Sequence, residues 1–195
     1  MARPGTSLTG LTSLAGYETH TKRLDWFKRV VPTLRRVAVV YNGQSFAGVC
    51  PSCVIFKILK KFASQQGLEL RGVPVKSDAE LQEAMSSLSP EDTDGVFEIC
   101  SALYRGVAAT ASRIGIPVMG CYGTKGPLLS YDTSPYYVAH RGGWYLAQIL
   151  KGVNPAELPV EVPMHYELMI NLKTAGRLGL TVPPETLRLA DKVIR

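Results

Sequence analysis

The sharpest chemistry in this chain lies in its four cysteines. Cys50-Pro51-Ser52-Cys53 opens a helical stretch that follows the apolar run Val37 to Tyr41. A helix amino terminus stabilises the thiolate of the first cysteine, and the two-residue spacing lets the second resolve it, which is the arrangement for thiol-disulfide exchange. Cys100 ends a third predicted strand and Cys121 a fourth, so a parallel sheet would bring both to the edge that carries Cys50 and Cys53. Adjacent strands lie ~5 Å apart. Four thiolates around one crevice would therefore suit zinc or an iron-sulfur cluster, with Cys50, Cys53, Cys100 and Cys121 as ligands. The plainer alternative needs no cofactor: Cys50 and Cys53 are unligated thiols or a disulfide without function, and Cys100 and Cys121 are small buried hydrophobes.

The elements that must position these sulfurs follow from periodicity. Val37 to Tyr41 is an unbroken apolar run, as in a strand buried on both faces. After the cysteines, Ile55, Ile58, Leu59 and Phe62 recur at helical spacing until Gly67 ends the helix. Upstream, Leu24, Phe27, Val30 and Val31 mark a helix that Pro32 closes. Downstream, Leu68 to Val75 reads as a strand whose Pro74 places it at the sheet margin. Ser77 with Glu80 is a capping-box signal for the next helix. Gly95 to Cys100, Val107 to Ile114 and Ile116 to Cys121 then give strand, helix and strand. Repeated β-α units with short loops predict an α/β fold, a three-layer parallel sheet with helices on both faces.

The plan changes after Cys121. Gly126 to Tyr131 reads as a strand, Tyr137 to Leu150 as a helix, and Pro155 to Pro163 as an extended connector. Tyr166 to Leu172 reads as a strand, Lys173 to Leu178 as a short helix, and Pro184 to Val193 as a terminal helix. The expected organisation is a linker or edge strand over 1–15, an α/β lobe over 16–132, a crossover helix and connector over 133–158, and a return to the lobe over 159–195. The long connector implies that the 137–150 helix packs away from the central sheet.

Composition excludes several classes. The net charge of +6 comes from scattered Lys and Arg, with no basic block interleaved with aromatics, so nucleic acid is not an expected partner. No stretch approaches the ~18 apolar residues that span a bilayer. Met1 to Gly5 lacks the apolar segment of a secretion signal, and taken as complete the chain would be cytoplasmic. His20, His140 and His165 have no ligand-like spacing, and no Ser/His/Asp order or carboxylate pair suggests hydrolysis. Apart from thiol chemistry, binding without turnover is expected.

Several segments carry a resemblance. Leu128-Leu129-Ser130-Tyr131, Tyr145 to Gly152, Pro155 to Glu161 and Glu167 to Pro183 closely resemble ABC transporter solute-binding proteins of the tryptophan-import-like group, which have the type I periplasmic binding protein fold. Ala2 to Leu11 resembles that family's linker leaving its first lobe, and Arg35 to Asn42 its next strand. The resemblance implies a clamp that closes on an amino-acid-like or other small metabolite and delivers it to an ABC permease, in the periplasm or another extracytoplasmic space. Relative to that pattern, the chain reads as the second lobe with most of the first missing, so a homodimer covering the exposed apolar helix is expected. Cys50 and Cys53 depart from the polar loop usual in the family.

The same resemblance implies cleft residues at the strand ends: Asn42, Ser45, Glu98, Ser101, Tyr122, Tyr131 and Asp132. Asn and Ser would hydrogen-bond a solute, Glu and Asp would capture an amine, and the tyrosines would stack. Glu98 is the most unusual, because it interrupts the apolar run Val96 to Ile99 and must be paired or face the cleft.

Overall fold

The computed structural model describes residues 7–12, 16–45, 48–100, 106–121, 126–162 and 164–195. Helix α1 (Tyr17–Val30) precedes strand β1 (Arg36–Asn42), and the β-α alternation continues through α2 (Pro51–Gln65), β2 (Glu69–Val75), α3 (Asp78–Ser86), β3 (Gly95–Glu98), α4 (Val107–Arg113) and β4 (Val118–Gly120). Then come β5 (Leu129–Thr133), α5 (Pro135–Leu150), β6 (Tyr166–Asn171), α6 (Leu172–Arg177), α7 (Pro184–Leu187) and β7 (Lys192–Ile194). The seven strands form one sheet in the order β2-β1-β3-β4-β5-β6-β7.

The first five strands are parallel, as the repeats predict. The hydrogen bonds from Asn171 N to Leu128 O and from Ser134 N to His165 O climb one strand while descending the other, so β6 runs antiparallel to β5. β7 then pairs parallel with β6. Pro74 lies on the edge strand β2, where its missing N–H breaks no ladder.

Alternation along the strands divides the core. Ala38, Val40, Val96 and Val118 pack with Leu81 and Met85 of α3 and Val107 and Ala111 of α4. On the other face, a side chain at Gly95 would come within 2.6 Å of Leu34 and 2.7 Å of Phe27, so only glycine lets α1 lie this close to β3. Ser77 caps α3 as expected: its Oγ accepts from Glu80 N at 3.2 Å, while the Glu80 carboxylate accepts from Lys76 N at 2.8 Å.

The carboxyl terminus corrects one expectation. The helix predicted from Pro184 to Val193 ends at Leu187, and Lys192–Ile194 is a strand. Asp191 accounts for the change: its carboxylate accepts from Leu168 N at 2.7 Å and its own N donates to Leu168 O at 2.9 Å, which draws the chain onto β6.

The chain divides into two units, one of residues 1–16 and 132–167, the other of residues 17–131 and 168–195, and passes between them three times. The smaller unit contains α5 and the connector. Within it, Arg141 holds Glu161 through two hydrogen bonds of 2.8 and 2.5 Å, and the Tyr145 hydroxyl donates to Pro159 O at 2.5 Å. Thr9 Oγ1 donates to Leu158 O, and Leu11 bridges Glu161, so the amino-terminal segment also joins this unit.

Candidate functional site

Register places the strand ends of the larger unit side by side. Val39, Phe97, Met119 and Leu129 lie in one row across β1, β3, β4 and β5. A few residues beyond that row, every strand reaches the same carboxyl edge: Tyr41 and Asn42, Glu98 to Cys100, Gly120 and Cys121, Ser130 and Tyr131. In open α/β sheets this edge is where ligands settle.

The cysteines meet there as two pairs. Cys50 and Cys53 are joined as a disulfide, and so are Cys100 and Cys121, which ties the ends of the adjacent strands β3 and β4. Cys50 Sγ accepts from Cys53 N at 3.2 Å, so the sulfur caps α2 as an oxygen would, and it lies 3.6 Å from Asn42 O. Among the described residues, no group of three potential metal ligands includes Cys50 or Cys53. The single four-sulfur cluster expected for zinc or iron-sulfur is therefore not assembled. Two sulfurs bonded to each other are not thiolates, and each pair is closed on itself.

Asn42 ends β1, with its Oδ1 accepting from Gln44 N at 2.8 Å. Ser45 is exposed in the following loop. Glu98 is only 3 % exposed although it ends β3, and its carbonyl oxygen lies 3.6 Å from Cys121 Sγ. Tyr131 is also buried, with its ring 6.4 Å from Trp26 and 5.2 Å from the Lys22 ammonium. The structure thus brings Asn42, Glu98 and Tyr131 to one edge. Asp132, the next residue of β5, is half-buried and falls in the smaller unit. Ser101 and Tyr122 lie outside the described residues.

A second layer, not singled out by the sequence reading, lies behind this edge. Arg23 of α1 is fully buried, donates from Nη2 to Gly120 O at 2.9 Å and to Cys121 Sγ at 3.5 Å, and stacks 4.9 Å from the Phe97 ring centre. Its Nη1 lies 3.4 Å from His20 Nδ1. Because guanidinium only donates, that ring nitrogen must be the acceptor, and His20 is neutral. Burial first, and the Arg23 charge second, push its pKa down to about 3. Among the described residues, Arg23 Nε and Trp26 Nε1 are buried donors without a protein acceptor. The signal was available: residues 20, 23, 24, 27 and 30 form one helical stripe, and Arg23 is the charge within it.

Comparison with known proteins agrees with this architecture. A structure from Vibrio cholerae O1 biovar El Tor, described as a conserved domain protein, superposes with a TM-score of 0.79 at 25 % identity, covering 98 % of this chain and 64 % of that one. An ABC domain from Streptococcus pneumoniae, solved in complex with L-Trp, gives 0.80 at 23 % identity over 98 % of this chain and 66 % of its own. An open, ligand-free substrate binding protein with adhesive properties from Clostridium difficile gives 0.69 at 21 %, covering 99 % of this chain and 64 % of that one. The chain thus spans just under two thirds of the length of these relatives. No curated protein matches it. The family of ABC transporter substrate binding proteins matches over residues 1–194, and such proteins bind rather than catalyse. On this match and the shared fold, the chain belongs to the ABC transporter substrate binding protein family.

Proposed function

We propose that the chain contributes the solute-contacting edge of an extracytoplasmic ABC importer component, of the tryptophan-import-like kind, that takes a small amino-acid-like solute and presents it to a permease. The observation that carries this reading is the common strand-end edge, with an amide (Asn42) on β1, a buried glutamate (Glu98) on β3 and a buried tyrosine (Tyr131) on β5. Glu98 would meet the ammonium group, and Tyr131 with Trp26 would offer an aromatic wall. The L-Trp bound by the Streptococcus relative makes an aromatic amino acid the first solute to test. Two disulfides favour an oxidising compartment and hence the extracytoplasmic side.

Self-association belongs to the same reading, since α5 exposes Tyr136, Leu146 and Leu150. Sedimentation velocity at two concentrations tests it: a homodimer is expected, and a monomer at both would remove it. Isothermal titration of the full chain with L-tryptophan and then the other amino acids tests solute binding. Glu98→Gln should weaken the best solute ~10-fold, in line with loss of a charge-assisted hydrogen bond. Equal affinity in wild type and variant would place the solute elsewhere.

Cys50–Cys53 at the start of α2 supports one further reading, thiol-disulfide exchange. Redox titration followed by mass spectrometry of alkylated thiols should reveal cycling in a glutathione buffer if this holds. A pair that stays oxidised throughout is a structural crosslink.

A further inference from the structure

A groove of about 1080 Å³ runs between α4 and α6 in the larger unit, open on its outer side. Its position separates it from the strand-end edge. Arg113 closes α4, whose chain then returns to the start of β4, and Asn171 ends the antiparallel β6, so the groove reaches toward the opposite, amino-terminal edge of the parallel strands. Part of its lining is small: Ala108, Gly126 and Gly176. Gly126 has φ of +113°, and a side chain there would meet Ala108 at 3.6 Å.

The rim is cationic. Among the described residues, Arg113, Lys173 and Arg177 line it and no carboxylate does. Each arginine is propped by a threonine one turn earlier: Arg113 Nη2 donates to Thr110 Oγ1 at 3.2 Å, and Arg177 Nη2 to Thr174 Oγ1 at 3.0 Å. Thr174 Oγ1 in turn donates to Gly126 O at 3.1 Å, which ties α6 to the segment before β5. Among the described residues, none of the three cations forms a salt bridge. Guanidinium groups held in this way suit carboxylates, and small residues in the rest of the lining leave room for a peptide backbone.

We propose that this groove docks an acidic peptide segment of a partner protein. Charge complementarity selects an anionic occupant. The volume exceeds the ~300–1,000 Å³ of pockets that enclose a small ligand, and the open side suits a chain passing through. The docking surface does not depend on the solute reading, because it shares no residue with the strand-end edge.

Fluorescence anisotropy of the full chain with a labelled ten-residue Glu-Gly peptide, in 0.15 M NaCl, tests the proposal. Saturable binding is expected, weakened ~10-fold or more in R113Q/K173Q/R177Q and less than ~2-fold in K57Q/K60Q/K61Q, which removes the same charge from α2. Circular dichroism confirms that each variant is folded, and K173Q/R177Q replaces the triple variant if it is not. Hydrogen exchange on the wild type should add protection at α4 and α6 when peptide is present. Equal weakening in both triple variants would reduce the effect to net charge and overturn the proposal. So would absence of saturable binding, or full competition by inorganic phosphate at concentrations equal to the peptide, which would mark a small-anion site instead.

Discussion

Helices α1 and α5 are of similar length, 14 and 16 residues, yet they meet the protein differently. α1 buries Leu24, Phe27 and Val30 against the sheet and even encloses Arg23, whereas α5 buries Tyr145 and leaves Tyr136, Leu146 and Leu150 in solvent. The larger unit is thus stabilised by a shared apolar core, and the smaller by polar clasps such as Arg141 with Glu161. An apolar side chain contributes only what its surroundings cover, so similar helices can differ several-fold in what they add to stability.

The largest effect should follow from opening the core. Phe27→Ala should lower the unfolding free energy by ~3–5 kcal/mol in urea titration, while Leu150→Ala should change it by less than ~0.5 kcal/mol at a concentration low enough to keep the chain monomeric. Comparable losses would mean that α5 is as well covered as α1. Next come the disulfides. Cys100–Cys121 spans 21 residues and Cys50–Cys53 spans 3. In the loop-entropy account, C100S/C121S should cost ~3 kcal/mol and C50S/C53S ~2 kcal/mol, and a reversed order would contradict it.

Protonation separates the units by pH. His20 has a folded pKa of about 3 against 6.5 for the free side chain, so between these values the unfolded chain binds more protons. Stability should therefore fall as pH drops from about 6.5 toward about 3, and His20→Gln should flatten that slope. Glu161 acts over a lower range. The hydrogen bond from Arg141 holds its carboxyl below the usual glutamate value, so its contribution is full above that ordinary value and is lost as pH falls through the lowered one. This is the smallest effect: Glu161→Gln should cost roughly 1 kcal/mol or less, because the pair is partly solvated. A larger loss would make the clasp more than a rim contact.

Much of the larger unit was legible because periodicity records burial. The run Val37 to Tyr41 and the stripe through Leu24 and Phe27 could only be covered elements, and the capping residues fixed where α3 begins. The cysteine pairing was not, since the same spacing serves a metal, an active thiol or a crosslink, and geometry alone joins Cys100 to Cys121. Arg23 lay on the buried stripe of α1, but its partners were not legible: the carbonyl of Gly120, nearly a hundred residues away, helps make its burial tolerable. At Asp191 a tertiary hydrogen bond to β6 overrode local helix preference.

The most direct test is hydrogen exchange read by mass spectrometry on the full chain, with and without L-tryptophan at 1 mM ~ a concentration that saturates a site of micromolar affinity. The account predicts added protection in the segments that hold Asn42, Glu98 and Tyr131, and its loss in Tyr131→Ala. Binding by isothermal titration with no change in those segments, or protection that persists in Tyr131→Ala, would contradict it.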